Sequence, residues 1–450
     1  KQLNKKKIAA LSIGDGVGNE FQKMLGEYDS IACFSIGRRS TAAQVQQVYN
    51  KLQKYDVIIC GVHTIRIPES LALRQLAAKK ELVYAFFTLP YACKEYKKSI
   101  EKAKAVVLAY EGTPLAQEYA AQVIFGGIAA KGKLPVSIPG LYYAGTGIFT
   151  EKTRLGYHQP EEVGANPDRL DVIESIVKAG LDEKAYPGCQ VLVAKDGVII
   201  YNKSFGYFDY ESRQPVTESS VYDLASASKA AGTLLAGPLL AVMKAYDDKK
   251  FTLNNKISDF IPELKESNKK DLSIKELLYH QSGVTPTINF YLDAIDKDSY
   301  KGSLYSSAKN ATHPVRFDAK TYVRNDFKYL PDVVSDTRKP GFTTEVARNF
   351  YVSDSFKDTI LQDIKKSRLG TRGRYVYSCV NFIMLKMMVE NLMKSPMDQF
   401  LRDDFYSGLG AWHTTYNPLK RMDTLQIVPT EQDGFVRRQL LRGYVHDEAA

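Results

Sequence analysis

Tyr222-Asp223-Leu224-Ala225-Ser226-Ala227-Ser228-Lys229 is the stretch from which the rest of the chain is read. A serine three residues before a lysine, at the opening of a helix, places both side chains on one face about one turn apart. A free hydroxyl is a poor nucleophile. A neighbouring amine that takes its proton, or whose charge favours the alkoxide, activates it. Read alone, Ser226 also fits a helix N-cap and Lys229 a solvated helix lysine. Ser228 is one residue off this register and is expected only to pack or hydrogen-bond. The apolar positions Leu234, Leu235, Leu239, Leu240, Met243 and Tyr246 continue the helical period, with Pro238 marking a kink or a local break.

Outward from that helix, 450 residues allow two or three domains, each with its own core. The formal charge is +10, but lysines and arginines are interleaved with acids along the whole chain. A solvated surface accounts for this, and attraction to an anionic polymer such as cell wall is the alternative. No nucleic-acid-binding motif is present, so no nucleic-acid partner is expected. The five cysteines, Cys33, Cys60, Cys93, Cys189 and Cys379, are odd in number and form no C-x-x-C pair. Neither a zinc site nor a disulfide framework is expected, buried free thiols are, and no metal or cofactor is implied. No run approaches the ~20 apolar residues of a membrane span. Both ends read as cut from something longer.

Residues 1 to about 140 alternate apolar runs with helical patterns. Lys7–Gly14, Asp56–Val62, Leu82–Phe87 and Ala105–Tyr110 read as strands, and Leu115–Phe125 as a helix. Continuous apolar strands separated by helices predict a parallel sheet covered on both faces. Gly14-Asp15-Gly16-Val17-Gly18 departs from G-x-G-x-x-G because its third glycine comes one residue early, and it reads as a tight strand-to-helix turn. Residues 140–165 carry glycine and proline without apolar period and read as a linker or strap. A helix from Asp168 follows, then a hairpin, Cys189–Ala194 and Val198–Asn202, turning at Asp196-Gly197. Residues 285–370 are polar and aromatic with few strong elements, the pattern of an insertion or lid. Helical period resumes over Val380–Leu392.

With these residues in place, the chain from about Tyr157 to its end resembles the serine β-lactamase and penicillin-binding-protein-like superfamily, in its class C or esterase-like branch. Tyr222–Lys229 is similar to that family's first motif. Leu253-Asn254-Asn255-Lys256-Ile257-Ser258-Asp259-Phe260-Ile261-Pro262 resembles the stretch after the nucleophile helix. Leu277-Leu278-Tyr279-His280-Gln281-Ser282-Gly283 resembles its L-L-x-H-x-S-G turn, and Tyr377-Ser378-Cys379 its second motif. Gly443-Tyr444-Val445-His446-Asp447 resembles the lead-in to its last catalytic strand. Residues 1 to about 155 resemble the C-terminal α/β sandwich domain of family 3 glycoside hydrolases, on Phe125-Gly126-Gly127-Ile128-Ala129-Ala130-Lys131-Gly132-Lys133-Leu134-Pro135-Val136. The combination resembles bacterial fusions of a β-N-acetylhexosaminidase with a β-lactamase-like domain.

The resemblances imply α/β plus α+β architecture. A parallel-sheet sandwich domain, 1–155, precedes a β-lactamase-like domain, 157–450, with an antiparallel sheet, an all-α region and an insertion at 285–370. They imply Ser226 as nucleophile through an acyl-enzyme, Lys229 assisting proton transfer, and Tyr377 as general base, with Tyr375 a nearby competitor. The family pattern has Asn two residues after the Tyr. Here that place holds Cys379, a weak hydrogen-bond partner, and alternation along an extended segment would bring Asn381 to the substrate side as Tyr377. Cys379 and Asn381 are therefore the expected substrate-binding positions, and β-lactamase activity proper is not expected. His280 is expected to bond a turn near the site. The third motif, K-T-G or H-x-G, does not follow Tyr377. The strand that carries it supplies an oxyanion donor worth roughly 10²–10³ in rate, so impaired catalysis is expected of this chain.

The implied function is hydrolysis of ester or amide substrates related to the cell wall, in an extracytoplasmic or periplasmic bacterial setting. The partners implied are a cell-wall fragment or small-molecule substrate and a glycosidase barrel domain. The alternative is a non-catalytic module that binds peptidoglycan for such a glycosidase. Intact Ser226, Lys229 and Tyr377 favour hydrolysis, and Cys379 favours the module.

Overall fold

Side chains of the first strand, β1 (Ile8–Ile13), alternate between two cores. Ala9, Leu11 and Ile13 face one, Ile8 and Ala10 the other. The same alternation runs through β3 (Val57–Val62) and β4 (Glu81–Phe86), so the sheet is apolar on both faces and needs a helical layer on each. The computed structural model that shows this describes residues 6–211, 213–228 and 237–446.

The chain divides into two compact units, one ending at Gly206 and one beginning at Tyr207. The first is built on a five-stranded parallel sheet in the order β2-β1-β3-β4-β5, with β2 at Ala32–Ile36 and β5 at Ala105–Leu108. Helices α1 (Glu20–Gly26) and α5 (Pro114–Phe125) cover the face of Ile8 and Ala10. Helices α2 (Ala42–Leu52) and α3 (Leu71–Lys79), with the short α4 (Lys97–Ile100), cover the other. Thr41 and Gln44 close a capping box on α2, and Thr113 caps α5 with Pro114 at its first position.

The glycine run after β1 is a strand-to-helix turn, as its spacing predicts. Gly14 has φ +94°, and a Cβ there would lie 2.2 Å from Cγ2 of Thr64. Gly14→Ala is therefore expected to cost about 1–3 kcal/mol from positive φ and overpacking together. The loss should appear as faster hydrogen exchange of β1 and β3 amides. Removing the contact with Thr64→Ala should recover only the packing share, and unchanged exchange in Gly14→Ala would rule the argument out.

The strap is laced to the sandwich. Thr153 and Arg154 N–H donate to the Gly126 carbonyl, and the Gln122 side chain both donates to and accepts from the Tyr157 backbone, at 2.8 and 2.9 Å. Strand β6 (Gly156–Tyr157) then pairs in parallel with β8 (Val198–Gly206), which forms the antiparallel hairpin with β7 (Gly188–Lys195). Asp196 and Gly197 both take positive φ, the type I′ turn that a right-twisted ribbon needs. Helix α6 (Pro167–Asp182) accompanies this hairpin through the Glu174–Lys203 ion pair. Pairing to β6 groups residues 157–206 with the first compact unit.

The second unit has a helical core of α7 (Gly237–Asp247), α8 (Ile274–Leu278), α9 (Phe356–Lys366), α10 (Cys379–Met393) and α11 (Met397–Leu401). Helix α10 buries most of its surface, with Val380, Phe382, Met384, Leu385, Met388 and Val389 all in the core and only a narrow polar edge at Lys386, Glu390 and Asn391. Between α8 and α9, the stretch expected to be an insertion forms short ribbons such as Tyr305–Ser306, Val315–Arg316 and Tyr322–Val323. They close on an aromatic core around Phe435, with Tyr291 and Phe327 edge-on to it. Among the described residues no helix is long and apolar enough to cross a membrane, and no group of three or more His, Cys, Asp or Glu could hold a metal. Cys60 and Cys93 are buried, whereas Cys33, Cys189 and Cys379 are only half-buried, which corrects the expectation of five buried thiols.

Candidate active site

Ser226 lies on a one-turn 3-10 segment, Ala225–Ser228, and is exposed. The turn is set locally. Asp223 Oδ1 accepts from the Ala225 N–H at 2.8 Å, Ala227 N–H donates to the Leu224 carbonyl, and Ala225 takes φ +44°. Positive φ at an alanine stores strain that the surroundings must hold. They do so from just upstream, where Val221 N–H donates to Gln426 and Val428 N–H donates back to Val221. Below it, Phe208, Val216 and Val428 form a small core with Tyr222. Lys229, the other half of the motif, lies outside the described residues, as does 230–236, through which the helix opening at Ser226 was expected to run.

Tyr377 is held by a different part of the same unit. Chain 369–379 runs beside 276–286 and is bonded to it by a backbone N–H at every third residue. Gly370 N–H donates to Gly283, Gly373 to Gln281, Val376 to His280 and Cys379 to Pro286, at 2.6–2.9 Å. The Ser378 hydroxyl donates to the Thr285 carbonyl at 2.7 Å, and the Ser378 N–H to Nδ1 of His280 at 3.0 Å. A backbone N–H can only donate, so Nδ1 carries the lone pair and the imidazole proton sits on Nε2. The Tyr377 ring, 42% exposed, lies 4.7 Å from the His280 ring, which also contacts Tyr375 and Phe382. Tyr375 is more exposed than Tyr377, at 64%. Gly283 allows this close approach: it has φ +73°, and a Cβ there would meet the Gly370 carbonyl oxygen at 2.5 Å.

Asn381 is not on the substrate side. The extended run ends at Ser378, α10 begins at Cys379, and the helical turn carries Asn381 inward, where it is fully buried. Its Oδ1 accepts from the Ser282 hydroxyl at 2.8 Å and its amide nitrogen lies 3.3 Å from His280 Nδ1. The period of two used to place it applies only to a strand. Cys379 is half-buried at the first turn of α10, with its N–H committed to Pro286.

Glu276 and Arg372 were not singled out from sequence. Glu276 closes the capping box of α8 with Ser273, a signal the S-x-x-E spacing carries. Its pairing with Arg372, 96 residues on, has no local signature. The guanidinium binds both carboxylate oxygens at 2.7 Å and so pins the loop that leads to Tyr377. The Arg372 hydrogen bonds hold the Glu276 carboxyl down at about 2, against the opposing effect of burial. A depressed folded-state value stabilises the fold above the ordinary carboxyl range and is lost as pH falls toward 2. Arg372→Met should thus cost about 1–2 kcal/mol at pH 7, after discounting for solvent screening of the half-exposed guanidinium. That difference should shrink between pH 4.5 and 2, the window between the ordinary carboxyl value and the held one. Urea unfolding across this range gives the comparison, and a pH-independent cost would contradict the pairing.

Set beside known proteins, residues 173–439 match the family model described as Beta-lactamase. A protein of Escherichia coli described as "Putative D-alanyl-D-alanine carboxypeptidase" is 26% identical over 315 residues, covering 65% of this chain and 59% of that protein. One with the same description from Salmonella gallinarum is 25% identical over 317 residues, covering 65% and 60%. The chain thus spans about three fifths of the length of these curated relatives. Among solved structures, the octameric penicillin-binding protein homologue from Pyrococcus abyssi aligns at 16% identity and TM-score 0.39, covering 62% of this chain and 52% of that one.

Proposed function

Because the chain belongs to the beta-lactamase family, whose model matches more than half of it, we propose that it is a serine hydrolase that works through an acyl-enzyme on Ser226. The carrying observation is the Tyr377 segment. The matched region presents a half-exposed tyrosine whose backbone is fixed on both sides, as a proton-transfer group requires. In this reading Ser226 Oγ attacks a carbonyl carbon while its proton passes to Tyr377, with Lys229 assisting. The tetrahedral intermediate collapses to a Ser226 ester as the leaving group takes that proton. Water, deprotonated by Tyr377, then cleaves the ester and returns the serine.

The substrate class is an ester or amide related to the cell wall, met outside the cytoplasm. The likeness to relatives described as D-alanyl-D-alanine carboxypeptidases supports a D-alanyl terminus as the acyl donor. For the first unit, the Phe125–Val136 motif and the five-stranded parallel sheet support a family 3 glycoside hydrolase sandwich, whose partner would be a glycosidase barrel.

Incubation with a fluorescent penicillin and with a fluorophosphonate, followed by peptide mapping, tests the proposal. An adduct on Ser226 is expected from at least one reagent. If neither labels the protein, the hydrolase reading fails and the peptidoglycan-binding alternative takes its place.

A further inference from the structure

His280 does more than bond a turn. Its carbonyl oxygen accepts the Val376 N–H at 2.8 Å and its Nδ1 accepts the Ser378 N–H at 3.0 Å. One residue therefore holds the amides on both sides of Tyr377, while its ring lies 4.7 Å from the Tyr377 ring. That double grip depends on an unusual backbone. His280 has φ +53°, the left-handed region, in which few residues with a Cβ settle. It is buried, and the groups around it are spent on holding it: Asn381 approaches Nδ1 and is itself fixed by Ser282. Strain of this kind persists where neighbours over-determine it, and it gathers where position matters.

We infer that His280 is a positioning residue for Tyr377: it sets where the phenol oxygen stands, by clamping the N–H groups of the residues on either side, Val376 and Ser378, without touching substrate or exchanging a proton. The inference rests on Tyr377 being the base. It separates His280 from a triad role, because Nδ1 is occupied by a backbone donor and is closed to a carboxylate partner.

Two substitutions test the clamp. His280→Ala removes the acceptor and leaves the buried Ser378 N–H unpaired. His280→Asn puts an amide oxygen near the place of Nδ1 and tolerates positive φ. The readouts are kcat and KM for a p-nitrophenyl ester and, independently of turnover, the ring 13C resonance of Tyr377, assigned by its loss in Tyr377→Phe. Since misplacement by about 1 Å can cost ~10²-fold, H280A should lower kcat about 10- to 100-fold with KM within about threefold, and should move the resonance. H280N should return both most of the way. An Asn variant no better than Ala, or a Tyr377 resonance unmoved in H280A, overturns the clamp. If the wild-type protein turns over no ester but the resonance follows the expected pattern, the clamp stands and the acyl-enzyme reading is what fails.

Discussion

Ser226→Ala should abolish covalent labelling and lower ester turnover by at least about 10³-fold, with any residue of rate coming from binding and backbone donors alone. The change should be nearly silent in stability, within ~0.5 kcal/mol, because the side chain is exposed. That combination, a large loss of chemistry at no structural cost, distinguishes a nucleophile from an N-cap serine. Loss of a cap costs about 1 kcal/mol and leaves chemistry elsewhere untouched. Ser228→Ala supplies the internal control. It sits on the same turn and is half-buried, so a structural role would show there and labelling should persist. An adduct that survives in Ser226→Ala, or that maps to Ser228, would move the nucleophile off its assigned position.

How far the sequence reaches depends on whether a feature is local. The apolar runs at Lys7–Gly14, Asp56–Val62 and Leu82–Phe87 sit in the middle of a sheet buried on both faces, so their composition declares them. Strand β2 does not stand out, because it is an edge strand, half-buried along most of its length and interrupted by Ser35. The Asp196-Gly197 turn is legible because only a few residues adopt two successive positive φ values. Asn381 was misplaced by one local assumption, that the strand-like run through Tyr377 continues past Ser378. One long-range pairing left no mark in the composition. The pairing of Gly156–Tyr157 with Val198–Ile199 ties the strap to a hairpin some forty residues on, and composition alone cannot show a ladder. The Ser226–Lys229 spacing is a local pattern that a sequence can carry by itself. The ladder that holds Tyr377 is not, since its partners lie about a hundred residues away in sequence.

Asp433→Ala should be the most destabilising single change in the second unit, at about 3–5 kcal/mol. Asp433 is 1% exposed and ends the first strand of a ribbon that pairs Glu431–Asp433 with Gln439–Leu441. Its carboxylate accepts the N–H groups of Phe435, Val436 and Arg437 at 2.7–2.9 Å, and the Arg437 Nε at 2.7 Å. Burial pushes the carboxyl up, but the guanidinium and the backbone donors outweigh it and hold it below its ordinary value. Alanine would leave three amides and the Arg437 Nε–H without an acceptor, and the guanidinium without its buried counter-charge. The same guanidinium donates to the carbonyls of Val445 and His446, so the Gly443–His446 stretch loses its anchor as well. The Phe435 ring, centre of the aromatic cluster with Tyr291, Phe317 and Phe327, is positioned by the first of those amides. The sign with pH follows from the depressed value. The stabilisation is complete above the ordinary aspartate range and is lost as pH falls through the lower folded-state value. Urea unfolding at pH 7 measures the loss, and the pair is separated from its partners by a double change. Asp433→Leu with Arg437→Met removes both charges, and replacing a buried ion pair by apolar residues is close to neutral, so it should be more stable than Asp433→Ala alone. A cost below about 1 kcal/mol for Asp433→Ala would mean the carboxylate is not what holds this loop.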